Sequence, residues 1–173
     1  MTSAEHESHD ITVQIAADRR KHFWVNSVSL KRGRSTRTSG FAPREAGQHS
    51  LLAIAIVQAL LSVSNKDRLR LTTFNTTRKP SVEILVRDVD FVASIRALVS
   101  NDDPRPFGFR AGRNFWSVLV KQLRRFQVTV KVVPLDDGRI GALKVWGATT
   151  VVAPRETTDV PAIFLATAVC TTH

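Results

Sequence analysis

Ser50-Leu51-Leu52-Ala53-Ile54-Ala55-Ile56-Val57-Gln58-Ala59-Leu60-Leu61-Ser62-Val63 is apolar on nearly every side. A surface helix would show a polar face every three or four residues, whereas here Gln58 and the two serines near the ends are the only polar positions. The run therefore reads as a helix covered on both flanks, the first core helix of an α/β domain. At about 1.5 Å per residue it is about 21 Å long, and polar segments bound it, so it falls short of a membrane span.

Working outward, the chain of 173 residues suits one domain with its own core, and its 43% hydrophobic and 23% charged residues are those of a globular protein. A single cysteine, Cys170, leaves no internal disulfide framework and points to a reducing compartment, intracellular and either cytoplasmic or nuclear. Met1 to Asp10 has neither the basic start nor the apolar run of a secretory signal and reads as a disordered lead. The net charge of +10 favours polyanionic partners. Its distribution says more. No acid lies between Arg19 and Arg44 or between Pro104 and Leu135, and both stretches are crowded with arginine and lysine.

Before the central helix, Ile11 to Ala17 alternates and then turns small, as a strand does, with Asp18 at its end. His22 to Leu30 is a second strand, Lys31-Arg32-Gly33-Arg34 a hairpin turn, and Ser35 to Phe41 a third strand suited to an exposed edge. After the helix, Asn65-Lys66-Asp67 reads as a polar turn and Leu69 to Phe74 as a fourth strand, parallel to the first because the helix crosses over between them. Asp88 to Val99 has helical spacing with acids in its first turn. Asn101 to Gly112 is a loop, and Asn114 caps a helix with Phe115, Trp116, Val118, Leu119, Leu123 and Phe126 on one face. Val128 to Val133 is a fifth strand. Ala142 to Trp146 reads as strand or short helix, and Thr149 to Val152 as extended. The expected layout is a domain over residues 11–153 and a C-terminal extension over 154–173, whose apolar part is too short to cross a bilayer. No membrane partner is expected.

Three strands in meander, a crossover helix, a fourth strand, further helices and a fifth strand: this order resembles the ribonuclease H fold over Ile11 to Ala148. The segment from Asn114-Phe115-Trp116 through Val133 is similar to that family's final helix and last strand, and Ser50 to Ala55 to its first helix. The resemblance implies a mixed five-stranded sheet flanked by helices. It also implies cleavage of RNA paired to DNA by two Mg²⁺ ions held between carboxylates, which stabilise the attacking and leaving oxygens. Residue by residue, Asp18 matches the first family aspartate, but the glutamate position falls at Ser50, the fourth-strand aspartate at Phe74 or Asn75, the late histidine near Asp136 and the last aspartate near Lys144. A lysine there would repel the ion. The expectation is therefore a degenerate, catalytically inactive member with no cofactor, of the kind that accompanies viral or retroelement machinery, and Asp18 as a turn cap or a partner of Arg19 or Arg20.

What such a protein retains is the grip on a duplex. Double-stranded RNA or RNA/DNA hybrid is held through backbone and 2′-hydroxyl contacts, which need basic groups and little base reading. Arg32, Arg34 and Arg37 in and after the hairpin, Arg105, Phe107, Phe109, Arg110 and Arg113 in and after the loop, and Arg124 and Arg125 at the end of the last helix are the candidate contacts. Two alternatives stand beside this. One is a nuclease using Mg²⁺ at a site rebuilt from Asp18, Glu45, Asp136 and Asp137; the other is a structural module of a viral or ribonucleoprotein assembly with a protein partner. Trp24, Trp116 and Trp146 read as core packing, His6 and His9 as solvent-exposed, and the Cys170/His173 pair lacks the orienting group of a nucleophile.

Overall fold

The alternation in the first strand is resolved by a sheet with both faces covered. The computed structural model describes residues 8–31, 33–42, 46–72, 78–101, 113–150 and 169–172. Its strands are β1 (Ile11–Asp18), β2 (Phe23–Leu30), β3 (Ser35–Phe41), β4 (Ser81–Val86), β5 (Gln127–Val132) and β6 (Val169–Thr172), in the order β5-β4-β1-β2-β3-β6. β1, β2 and β3 form the antiparallel meander, and β4 and β5 run parallel to β1. The five-strand order β3-β2-β1-β4-β5, with helices on both faces, is consistent with a ribonuclease H-like fold.

Helix α1 (Gln48–Leu61) lies against β1 and β2, and every residue from Ser50 to Leu60 except Gln58 is buried. On this face Ile11, Val13, Ile15 and Ala17 of β1 and Trp24 and Val28 of β2 meet α1, together with Phe91, Val92, Ile95 and Leu98 of α3 (Val89–Asn101) and Leu119 and Leu123 of α4 (Arg113–Arg124). A buried polar bond crosses the middle of this interface: the fully buried Asn26 donates from Nδ2 to the Ala55 carbonyl at 3.0 Å, tying β2 to α1. The other face is smaller. Ala16, Phe23, Val25 and Leu85 meet Ile140 and Leu143 of α5 (Gly138–Thr150).

Gly147 lets α5 come so close. A Cβ at that position would stand 2.9 Å from Val25 Cβ and 3.0 Å from Phe23 Cε2, inside contact distance. Gly147→Ala gains about 1 kcal/mol of helix propensity and forces α5 off the sheet at a cost of about 1–3 kcal/mol. Gly147→Val, with more bulk and less of that propensity, is expected to destabilise by several times more than Ala in urea unfolding.

Four expectations are corrected. The fourth strand is not Leu69 to Phe74: Asn65–Leu71 is a short helix, α2, and the strand beside β1 is Ser81–Val86. The cause is a capping box. The Ser64 hydroxyl accepts from the Asp67 amide while the Asp67 carboxylate accepts from the Ser64 amide at 3.1 Å, which starts a helix where a turn was expected. Of the two readings of Ala142 to Trp146 the helix holds, and it runs on through Thr149 and Thr150, which were expected to be extended; the Thr149 hydroxyl turns back to the carbonyls of Val145 and Trp146. β3 is not an edge, because β6 pairs with it from Thr36 to Ser39 and so brings the last part of the expected extension into the sheet. The expected lead is tied down at its end: Asp10 is buried and accepts from the Ser81 amide and hydroxyl, and His9 Nε2 lies 2.9 Å from Glu83 Oε2 with its side chain only 8% exposed. His6 lies outside the described residues.

Burial alone would raise the Asp67 carboxyl, but the Ser64 hydroxyl and amide together with Arg34 outweigh it and hold it below the usual carboxylate range. A depressed folded-state value stabilises above the unfolded value near 3.8 and is lost as pH falls through that region. Ser64→Ala is expected to cost about 1 kcal/mol at neutral pH. Its difference from wild type in thermal unfolding should shrink below pH 3.8.

Candidate functional site

Because β1 and β4 are parallel neighbours, their carboxyl ends come out side by side, and the start of α1 is laid against them. Gln48 makes that junction: its Nε2 donates to the Ala17 carbonyl at 3.1 Å and its Oε1 accepts from the Arg19 amide at 3.2 Å. Asp18 follows. Its Oδ1 accepts from the amides of Arg20 and Lys21 at 2.9 and 3.2 Å, closing the β1–β2 turn, in which His22 has a φ of 55°. Its Oδ2 lies 4.0 Å from Lys144 Nζ, which α5 carries over this end of the sheet.

Phe74 and Asn75, expected to stand at the end of the fourth strand in place of a carboxylate, lie outside the described residues; the strand beside β1 is followed instead by Asp88. Asp88 Oδ1 accepts from the Phe91 amide at 2.9 Å and so caps α3, while Oδ2 lies 3.2 Å from Nε2 of His49 on the first turn of α1. Ser50, expected at the glutamate position, is buried. Among acids near α5, Asp136 is exposed, and Asp137 is gripped by the Arg139 side chain through both carboxylate oxygens. Those bonds, with one from the Arg139 amide, hold the Asp137 carboxyl at about 2. Arg87 donates to the Asp137 carbonyl from the other side. Glu45 lies outside the described residues.

An ion of the Mg²⁺ type needs several charged or carbonyl oxygens converging on one point. Here the oxygens of Asp18 face two amides and an ammonium, and those of Asp88 an amide and an imidazole. Among the described residues no three His, Cys, Asp or Glu side chains gather where they would hold a metal. The described residues at this end of the sheet do not offer the ligand set of a two-ion site.

The basic residues singled out in the sequence fall on several elements. Arg34 in the hairpin is half exposed and reaches Asp67 of α2 at 3.0 Å. Arg37, on β3, turns under α5 with its guanidinium 5.9 Å from the Trp146 ring. Arg125, after α4, donates to Gln122 and to the Val63 carbonyl and lies over Phe126 at 5.3 Å, so much of its bonding capacity goes to packing. Arg124 lines a cleft with Lys79 and Phe126. Arg32, Arg105, Phe107, Phe109 and Arg110 lie outside the described residues, and Arg113 opens α4.

Sequence reading missed Arg68 and Arg78. They flank the segment mistaken for a strand, and both line a cleft of about 210 Å³ beside Pro80. The basic run around Asp67, together with Arg78-Lys79, was the available signal. No family model and no curated protein matches this chain.

Proposed function

We propose that this protein is a degenerate member of the ribonuclease H-like superfamily that binds double-stranded RNA or RNA/DNA hybrid without cutting it. The observation that carries the reading is the Lys144 ammonium 4.0 Å from Asp18, on a chain of net charge +10. A cation from the chain itself stands against the carboxylate that would have opened a metal site, while the overall charge still favours a polyphosphate partner. Backbone gripping of a duplex needs basic and polar groups in number, not a shaped catalytic pocket.

One observation favours the nuclease reading: Asp88 supplies a second carboxylate at a strand end where the family has one. It is already engaged as a helix cap and by His49, which weighs against it as an ion ligand. A cleavage assay on hybrid, double-stranded RNA and single strands with Mg²⁺ or Mn²⁺, run beside Asp18→Asn, decides between them. Binding without cleavage supports the proposal. Cleavage that disappears in Asp18→Asn overturns it.

A further inference from the structure

We infer that the cleft between α2 and the start of β4, with Arg68 and Arg78 on its walls, is a binding site for a backbone phosphate of the bound nucleic acid; this rests on the reading just proposed. The cleft lies at the end of the sheet remote from Asp18, where β4 and β5 begin and α4 ends, and the Gln127 amide donates to the Pro80 carbonyl beside it.

Two like charges are held together there. The guanidiniums of Arg68 and Arg125 both stand over the Phe126 ring, at 5.8 and 5.3 Å from its centre, and neither meets a carboxylate among the described residues. Burial, and then the neighbouring Arg68, pull Arg125 below the usual guanidinium range. An anion held in the cleft by Arg68 and Arg78 would offset that repulsion.

Arg68 also carries an unanswered donor. Its Nε is buried and has no hydrogen-bond partner among the described residues. As the side chain stands that donor is out of a ligand's reach, so the contact with a phosphate oxygen falls to the terminal nitrogens of the guanidinium of Arg68, a residue that lines the cleft. Nearby acids are otherwise employed. Asp67 is held by Ser64 and Arg34, and Asp10 by Ser81, with Arg78 3.7 Å away and itself 57% exposed. Leu69, 62% exposed on the same wall, offers an apolar surface to a sugar. A strand gripped here would approach the protein at the end opposite the fold family's carboxylate corner.

Fluorescence anisotropy with a labelled RNA/DNA hybrid tests this, comparing wild type, Arg68→Gln/Arg78→Gln and Lys144→Gln across a salt series. Losing this phosphate contact should weaken binding at least tenfold and flatten the slope of log K against log salt by about 0.9, while Lys144→Gln leaves both unchanged. On the wild-type protein, amide shifts over Asn65–Leu71 should move on adding hybrid and remain still with inorganic phosphate at the same concentration. Wild-type slopes in the double variant, still amides with hybrid, or equal shifts with phosphate alone would each overturn this site and leave duplex binding standing. A wild-type protein that binds no hybrid at low salt overturns both.

Discussion

Trp24→Ala is expected to lower the unfolding free energy by about 3–5 kcal/mol, and Trp24→Phe by no more than about 1–1.5 kcal/mol. Trp24 is fully buried on the α1 face of β2, where β1, β2 and α1 meet, so truncation removes one of the largest buried side chains at the centre of the larger core. The surrounding sheet and helix cannot collapse into the space without breaking the register of β2 with β1 and β3. The phenylalanine variant separates volume from polarity. Trp24 Nε1 is buried with no partner among the described residues, and burying an unpaired donor costs about 1–3 kcal/mol, which phenylalanine recovers while giving up part of the ring. Urea unfolding followed by circular dichroism reads both variants. A phenylalanine variant as unstable as the alanine variant would mean that packing alone governs this position.

The ease of reading α1 and the difficulty of reading β4 have the same origin. In α1 burial on all sides is written into the composition, and Gln58, the polar exception inside the run, is the residue between Ser50 and Leu60 that escapes burial. The meander was legible for a like reason, since β1 alternates where one residue faces α1 and the next faces the other layer. Leu69-Arg70-Leu71-Thr72-Thr73-Phe74 alternates too, but alternation over a few residues does not distinguish a strand from a short exposed helix. Here a local signal wins, the Ser64/Asp67 box, and Ser81–Val86 takes the place beside β1. That error placed the end of the fourth strand at Phe74 or Asn75 instead of before Asp88, so the place of Asp88 at a strand end beside β1 was invisible before the fold was known. α5 was obscured by its glycines: Gly141 and Gly147 lower helix propensity, and only the close approach of Gly147 to Phe23 and Val25 explains its place there. The pairing of Asp18 with Lys144 is tertiary, between residues joined only by the packing of α5 on the sheet.

Salt should separate duplex binding from a protein-docking role by orders of magnitude. Affinity for RNA/DNA hybrid is expected to fall by about 10²- to 10³-fold between 50 and 200 mM salt, the loss produced by about four to six phosphate contacts. The limit on that number is how many cations the fold has already used. Arg34, Arg78, Lys131, Arg139 and Lys144 each lie within 4.0 Å of a carboxylate, and Arg87 and Arg96 donate to backbone carbonyls. Such surface pairs are weak, about 0–1 kcal/mol each, so exposed members such as Arg78 and Lys131 exchange a carboxylate for a phosphate at little cost. Arg37 and Arg125, packed on aromatic rings, do not move out so readily. The working contacts should therefore be a subset of the 25 lysines and arginines, and the slope a moderate one. Anisotropy titrations at several salt concentrations measure it directly. A change below tenfold across this range would mean that fewer than two phosphates are neutralised, and the basic surface would then have to be assigned to contacts with a protein partner.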